Sequence, residues 1–254
     1  MKLKSFVISL QRRSDRLKNF NQLNKHKTTL DIELFTGVNG CQLTCTNELL
    51  KLFENNDFNM RSGVVGCALS HIQLYIDLVY SEYDSFLIFE DDAILTSDFD
   101  AKLKYVLRKN KDFDILYLGH HPKKFVPETH LKHILSDAIR YDTSTSFEKS
   151  IGGLFSYIIT NKAARKILEY INLNGLKSGI DTFLQIRSDN LKCLYCSPFI
   201  SYSLCYRPGK DVDSDIQYNY SPIKNIDEHC IIFNTTGRIT HNGRYSLEKC
   251  INYL

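Results

Sequence analysis

The chain has 254 residues, of which 43% are hydrophobic and 24% are charged. This apolar mass excludes intrinsic disorder as the main state, and 12 glycines with 5 prolines exclude a collagen-like or low-complexity chain. The 32 basic and 29 acidic residues leave a net charge of +3, which offers no basic stripe for a nucleic acid partner.

Apolar runs alternate with segments of helical periodicity through much of the chain. Strands are predicted at 2–10, 32–36, 85–89, 114–118 and 154–159, and helices at 14–25, 66–80 and 161–171. Residues 86–89 are all apolar, which is typical of a strand buried on both faces. The alternation predicts an α/β fold with a Rossmann-like, mostly parallel sheet flanked by helices. Such sheets bind ligands at the carboxyl ends of their strands.

The alternation fades after about residue 197, so we predict one domain over 1–216 and an extension over 217–254 that packs on it. The apolar stretch at 6–10 is far shorter than a signal-peptide core, and no segment approaches about 20 apolar residues. The sequence therefore predicts no signal peptide, no membrane span and a cytoplasmic chain of bacterial or viral type. A homodimer is compatible with these observations.

Cysteine spacing leaves a second class of protein open. Eight cysteines in a reducing compartment are expected to be thiols. Two close pairs, Cys41 with Cys45 and Cys193 with Cys196, would suit a zinc-stabilised interaction module. We favour small buried hydrophobes instead, because Cys193 and Cys196 flank a strand-like Leu-Tyr pair without a knuckle glycine.

Three adjacent carboxylates, Glu90, Asp91 and Asp92, directly follow the buried strand at 85–89. Their mutual repulsion requires compensation, and carboxylate oxygens suit a hard divalent cation such as Mn²⁺ or Mg²⁺. Such an ion commonly bridges a protein carboxylate and substrate phosphates. The alternative is a solvated acidic turn or a helix cap.

Further acidic residues are candidates for the same site. Asp181 follows a Gly-Ile pair, where it would act either as a general base near the sheet edge or as a helix cap. Asp211, Asp213 and Asp215 alternate along the chain, so an extended backbone would place them on one side. The alternative for these three is a solvated loop.

Basic residues gather after the first predicted strand, at Arg12, Arg13 and Arg16. Guanidinium groups at a helix N-terminus offer a site for an anion, and the alternative is that they are simply solvated. Neither a Walker A nor a Gly-x-Gly-x-x-Gly pattern is present, which argues against an NTPase or a classical dehydrogenase.

Small residues open the helix predicted at 66–80, and Ser70 and His71 place polar groups beside them. Cys67 stands four residues before His71, which makes a thiol nucleophile formally available. We disfavour this role because no other residues in the sequence build a hydrolase site.

These blocks, in this order, resemble glycosyltransferase family 25, which includes lipooligosaccharide and procollagen galactosyltransferases. The matching blocks are 7–10 with 12–16, 37–40, 66–71, 89–92, 113–119, 152–157 before 163–164, 180–181 and 214–216. Each block alone is weak, but the ordered set spans roughly residues 5–216 and is specific.

The resemblance implies a GT-A-type fold, a UDP-sugar donor, a Mn²⁺-type (or Mg²⁺) ion and inversion at the anomeric carbon. It makes Asp92 the metal ligand, with Asp215 serving the metal or the substrate. The donor-binding residues that it implies are Ser9, Leu10, Arg13, Arg16, Ser70, Glu90 and Asp91. Glu90 departs from the usual Asp at the start of the acidic motif. Inversion needs one base opposite the leaving group, and our hypothesis is Asp181.

The predicted function is therefore an inverting, metal-dependent glycosyltransferase. It would move galactose, glucose or N-acetylglucosamine from a UDP-sugar to a hydroxyl of a glycan, glycoprotein or collagen-like acceptor. The alternatives are an inactive sugar-nucleotide-binding module and the zinc-stabilised module.

Overall fold

The computed structural model describes residues 1–119, 137–140, 153–186 and 190–203. The strands are β1 (Leu3–Ser9), β2 (Ile32–Thr36), β3 (Ser85–Glu90), β4 (Ala93–Leu95), β5 (Ile115–Tyr117), β6 (Asp137–Arg140), β7 (Ser156–Thr160), β8 (Cys193–Ser197) and β9 (Ser201–Ser203). The α-helices are α1 (Ser14–Asn24), α2 (Asn47–Leu52), α3 (Ser62–Tyr80), α4 (Phe99–Lys109), α5 (Asn161–Asn174) and α6 (Ile180–Ile186). The predicted domain boundary at 216, the extension over 217–254 and the acidic residues Asp211, Asp213 and Asp215 lie outside the described residues.

The described strands form a central sheet of seven in the order β2-β1-β3-β7-β5-β8-β6. β1, β2, β3, β5 and β8 run in one direction, whereas β7 and β6 run against them. A mostly parallel sheet flanked by helices confirms the predicted α/β fold class. A separate antiparallel pair, β4 with β9, lies just beyond the end of β3.

Each face of the sheet carries its own hydrophobic core, and β3 contributes to both. Phe86 and Ile88 belong to the core that includes α3 and α5, whereas Leu87 and Phe89 belong to the core that includes α1 and α4. The apolar run at 86–89 is thus buried on both faces, as predicted, and alternate residues of β3 face different helices.

Helix α3 begins at Ser62, four residues before its predicted start, and it forms the centre of one core. Within the described residues it is the one helix long and apolar enough to cross a membrane. The sequence predicts a helix at 66–80 but no apolar segment of this length. Its apolar window is 83% buried inside the protein, and it packs against α5, as the core helix of a globular domain does.

Several short elements were not predicted from the sequence. β4 and β9 have three residues each and exist because they pair with one another across more than a hundred residues of chain. Helix α4 is amphipathic, with Phe99, Leu103 and Val106 buried on one face. The strand-like character noted between Cys193 and Cys196 is borne out by β8.

Candidate functional site

The carboxyl ends of β1 and β3 open into a cavity of about 570 Å³. The two strands are parallel, and their register sets Ile8 opposite Glu90. The end of β1 therefore lies beside the three carboxylates that follow β3. The predicted site residues on the cavity wall are Ser9, Leu10, Arg16, Ser70, Glu90, Asp91, Asp92 and Asp181.

Asp91 is paired within the protein through both carboxylate oxygens. Ser9 Oγ donates to Oδ2 at 2.7 Å, and Arg16 Nη2 lies 2.7 Å from Oδ1. Burial raises the pKa of Asp91 to about 6, while the Arg16 charge and the Ser9 hydrogen bond oppose this rise. The buried Asp91 side chain thus links the end of β3 to β1 and α1. The alternative prediction of a solvated acidic turn is wrong for this residue.

Asp92 has one carboxylate oxygen in a hydrogen bond and one without. Ser203 Oγ, at the end of β9, donates to Oδ2. Oδ1 is buried and accepts no hydrogen bond from the described residues, and its ion pair with Arg16 Nη2 is long, at 3.7 Å. A guanidinium at this distance compensates a buried carboxylate oxygen only in part, so a cation at closer range would be favourable. The donor chemistry at Asp92 therefore fits a hard divalent ion.

Glu90 belongs to a different hydrogen-bonded group. His71 Nε2 lies 3.3 Å from Glu90 Oε1, and His71 Nδ1 lies 2.8 Å from the hydroxyl of Tyr157. That hydroxyl lies 2.9 Å from the hydroxyl of Tyr75. Because a carboxylate only accepts, a neutral His71 donates from Nε2 and accepts from Tyr157, which in turn accepts from Tyr75. His71, Tyr75 and Tyr157 are all buried. This series of hydrogen bonds therefore holds Glu90 against α3.

Sequence reasoning missed the two tyrosines. Tyr75 stands four residues after His71 on α3, which is a usable helical-spacing signal. Tyr157 lies on β7, 86 residues from His71, and no local pattern points to it.

Cys67 lies on the same wall as His71. The metal-ligand atoms of Cys67, His71 and Glu90 all lie within 4.8 Å of one another. Burial raises the pKa of the Cys67 thiol well above its ordinary value, and the charges of Glu90 and Asp181 add to the rise. A protonated thiol is a poor nucleophile, so this environment also disfavours Cys67 as a catalytic nucleophile.

The arginines after β1 divide between two positions. Arg12 and Arg16 line the cavity. Arg13, predicted to bind the donor, is not among the lining residues and pairs with Asp15, Nε to Oδ1 at 3.0 Å and Nη2 to Oδ2 at 2.9 Å. This pair lowers the pKa of the exposed Asp15 to about 2. The structure thus offers Arg12 where the sequence indicated Arg13.

Asp181 lies in the first turn of α6 and lines the cavity. Its Oδ1 accepts a hydrogen bond from the backbone N–H of Thr182 at 2.8 Å, so the carboxylate stabilises the helix start as well as facing the cavity. The carboxylate thus lies inside the first turn of α6 rather than at its cap, and its role as a general base stays a prediction.

Ser70 holds two segments of the cavity wall together. Its hydroxyl donates to Gly66 O at 2.7 Å and accepts from Val38 N at 2.8 Å. The loop after β2 consequently lies directly against α3, and a Cβ at Gly66 would stand 2.5 Å from Val38 O. The blocks at 37–40 and 66–71 are thus two halves of one backbone contact.

The four-cysteine zinc site is not formed. Cys193 belongs to one hydrophobic core and Cys196 to the other, so β8 presents them on opposite faces of the sheet. Both are buried, and burial raises the pKa of each thiol to about 12. These two residues are small buried hydrophobes, as the favoured interpretation held, but that interpretation was wrong for Cys41, which is exposed, and Cys45 is only half-buried.

Buried carboxylates and arginines thus gather at the carboxyl edge of a mostly parallel sheet, the edge at which α/β proteins bind their ligands. The family described as glycosyltransferase family 25 (LPS biosynthesis protein) matches residues 2–184, and the chain belongs to this family. The predicted family is confirmed, and with it the class, a transferase of glycosyl groups.

Curated relatives agree with this assignment. A protein of Acanthamoeba polyphaga mimivirus named "Putative glycosyltransferase" is 29% identical over 243 residues, which cover 92% of this chain and 71% of the relative. Human procollagen galactosyltransferase 2 is 22% identical over 244 residues, which cover 83% of this chain and 37% of the relative. The bovine "Probable inactive glycosyltransferase 25 family member 3" is 25% identical, with 72% of this chain and 31% of the relative covered. The chain thus spans about a third of these two mammalian relatives.

Among solved structures, a mutant galactosyltransferase 7 of Drosophila in complex with manganese, UDP-Gal and xylobiose is similar at a TM-score of 0.38. The identity is 11%, and the match covers 98% of this chain and 84% of that one.

Proposed function

We propose that the chain is a metal-dependent, inverting glycosyltransferase that moves a hexose from a UDP-sugar to a hydroxyl of a glycan or collagen-like acceptor. The observation that carries the proposal is Asp92 Oδ1 at the carboxyl edge of the sheet, a buried carboxylate oxygen that has a long ion pair with Arg16 but no hydrogen-bond donor among the described residues. Family membership supplies the reaction class, and this oxygen supplies a reason for the metal.

Asp92 would hold the ion, and Asp215, which lies outside the described residues, is the predicted second ligand. A Mn²⁺ or Mg²⁺ ion bound there would act as a Lewis acid that stabilises the departing diphosphate. Ser203 orients Asp92 for this role, because its hydroxyl occupies Oδ2 and leaves Oδ1 directed away from that bond.

The nucleotide would lie along the end of β1, between Ser9, Leu10 and the cavity-lining Arg12 and Arg16. Guanidinium groups at this edge attract the diphosphate and oppose the charge that grows on it as the glycosidic bond breaks. Glu90, held by His71, would face the ribose or the donor sugar.

Asp181 is the base of the proposed reaction. Inversion requires a group that takes the proton of the acceptor hydroxyl on the face opposite the leaving group. Asp181 enters the cavity from α6, whereas Asp92 enters from the loop after β3, so the two carboxylates approach the bound sugar from different elements. Its hydrogen bond from Thr182 N fixes the orientation of the carboxylate.

Calorimetric titration with UDP, in the presence and absence of Mn²⁺, tests the metal site. In the wild type we expect Mn²⁺ to strengthen UDP binding, and Asp92→Ala should remove this gain. Asp112→Ala is a matched control, because Asp112 is exposed and pairs with Lys192 outside the cavity. Equal affinity with and without Mn²⁺ in the wild type would contradict the metal assignment.

Donor hydrolysis and transfer assays test the chemistry. UDP-galactose, UDP-glucose and UDP-N-acetylglucosamine are compared with Mn²⁺ present, and the human relative's name places galactose first in the series. Asp181→Asn should lower turnover by roughly a thousandfold, because a general base is removed, and should leave UDP affinity unchanged. Retained turnover would show that another group is the base. UDP binding without turnover on any donor would assign the chain to the inactive binding modules.

A further inference from the structure

The α3 wall of the cavity carries a set of ligand atoms that differs in chemistry from the oxygen site at Asp92. A thiol, an imidazole and a carboxylate, from Cys67, His71 and Glu90, converge with all three ligand atoms within 4.8 Å of one another. We propose that these residues form a zinc site on the α3 wall, and that zinc bound there withdraws Glu90 from the sugar-nucleotide donor.

Helical geometry and sheet register build the ligand set. Cys67 and His71 are four residues apart on α3, so they lie one turn apart on the same face of the helix. Glu90 is the last residue of β3 and reaches the same point, with Oε1 already 3.3 Å from His71 Nε2. Zinc ligands in a tetrahedral site stand roughly 3.3–3.6 Å apart, so a closure of about 1 Å at the widest pair completes the set.

The chemistry of the three ligands selects zinc over the ion proposed at Asp92. Thiolate and imidazole are ligands of zinc, whereas Mn²⁺ and Mg²⁺ prefer carboxylate, carbonyl and water oxygens. A thiolate and a carboxylate together balance the two positive charges of the ion. Cys67 and Glu90 line the cavity, so three protein ligands would leave the fourth position open to water or to a ligand in the cavity.

The buried tyrosines provide the outer hydrogen bond that a zinc-binding histidine usually has. With zinc on Nε2, the imidazole carries its proton on Nδ1 and donates to the hydroxyl of Tyr157 at the present distance of 2.8 Å. Tyr157 then donates to the hydroxyl of Tyr75, 2.9 Å away. Both hydrogen bonds reverse their direction without movement of the heavy atoms. The Cys67 thiol loses its proton to solvent as the sulfur binds the metal.

Zinc binding can be measured without any assay of glycosyl transfer. The reduced full-length chain competes with a chromophoric chelator for Zn²⁺, and Co²⁺ substitution reports thiolate ligation by its charge-transfer absorption. We expect one zinc per chain with a thiolate-to-cobalt band, and both should be lost in Cys67→Ser. Cys41→Ser is the control, because Cys41 lines the same cavity but is outside the ligand set, and it should retain both signals.

Two further variants keep the test decisive if Cys67→Ser folds poorly. Glu90→Gln removes a charged ligand and should weaken zinc binding roughly tenfold or more, and Tyr157→Phe removes the outer hydrogen bond and should weaken it roughly tenfold. No bound zinc in the wild type, or equal affinity in the wild type and all three variants, would overturn the site.

The effect on the donor rests on the proposed function and is tested separately. Zn²⁺ should reduce Mn²⁺-dependent UDP-sugar binding in the wild type and should have no such effect in Cys67→Ser. Zinc binding by the chelator assay together with undiminished UDP-sugar binding would overturn the withdrawal of Glu90. Zinc binding together with no UDP-sugar binding at all would leave the zinc site in place and refute the proposed function instead.

Discussion

The two walls of the cavity meet at three consecutive carboxylates, Glu90, Asp91 and Asp92, and give them different environments. The sheet-edge wall consists of Ser9, Arg16, Asp91 and Asp92, and the α3 wall consists of Cys67 and His71. The first wall is charged and held by an ion pair, whereas the second is a helix face with a hydrogen-bond chain to the buried Tyr157 and Tyr75 behind it.

Strand alternation explains the division. Ile88 faces the core that includes α3, and Phe89 faces the core that includes α1. Glu90 has the parity of Ile88 and meets His71 on α3, while Asp91 has the parity of Phe89 and meets Arg16 on α1. Adjacent acidic residues can therefore serve unrelated environments, one for each face of the sheet.

The pH dependence of stability should give the largest difference between the walls. Asp91 has a pKa of about 6 in the folded chain against 3.8 as its ordinary value, so the folded state holds this proton more tightly. Relative to Asp91→Asn, wild-type stability should be highest below about pH 4 and fall by about 3 kcal/mol by about pH 7. Chemical denaturation of both proteins across this range, with EDTA present, measures the difference. Parallel stability curves would contradict the role of burial at Asp91.

Removing the guanidinium of the sheet-edge wall should have a somewhat smaller effect. Arg16→Ala leaves Asp91 buried without its cation, but the carboxyl can take up a proton near neutrality, which limits the loss to about 2 kcal/mol. Arg13→Ala is the matched control, because its ion pair is with the exposed Asp15, where solvent screens the interaction and the loss should be smaller. Denaturation midpoints at pH 7 compare the two. Equal losses of unfolding free energy would show that burial does not strengthen the Arg16 ion pair relative to the Arg13 ion pair.

The hydrogen-bond chain behind the α3 wall should show the smallest change. Tyr157→Phe removes the partner of His71 Nδ1 and should cost about 1.5 kcal/mol, because a buried acceptor is left unsatisfied. Tyr75→Phe should cost less, since Tyr157 keeps its bond to His71. Chemical denaturation of both variants and the wild type at one pH tests this ranking. A larger loss in Tyr75→Phe than in Tyr157→Phe would contradict the central place of Tyr157 in the hydrogen-bond chain.

The sequence allowed much of the sheet and part of the site to be predicted. The run at 86–89 could be predicted as a strand buried on both faces because it is short, wholly apolar and directly followed by acidic residues. The rule that ligands bind at the carboxyl ends of parallel strands then brought Ser9, Arg16 and the three carboxylates to one edge. Both predictions succeeded because a local sequence pattern could be combined with a general rule of sheet architecture.

Other contacts could not be predicted, since they join segments that share no local pattern. Ser203 meets Asp92 because β9 pairs with β4, and Tyr157 meets His71 because β7 inserts antiparallel beside β3. Arg13 looked equivalent to Arg12 in the sequence, but in the structure Arg12 lines the cavity and Arg13 pairs with Asp15.

The sequence by itself determined the alternation of strands and helices, the resemblance to glycosyltransferase family 25, and the presence of three carboxylates after a buried strand. The tertiary structure decided how each carboxylate is used. Glu90 joins a hydrogen-bond chain, Asp91 has an ion pair, and Asp92 has an oxygen without a hydrogen bond from the described residues. These differences depend on which distant element packs on each face of the sheet. Long-range packing therefore sets the different surroundings of Glu90, Asp91 and Asp92, three acids that are consecutive in the chain.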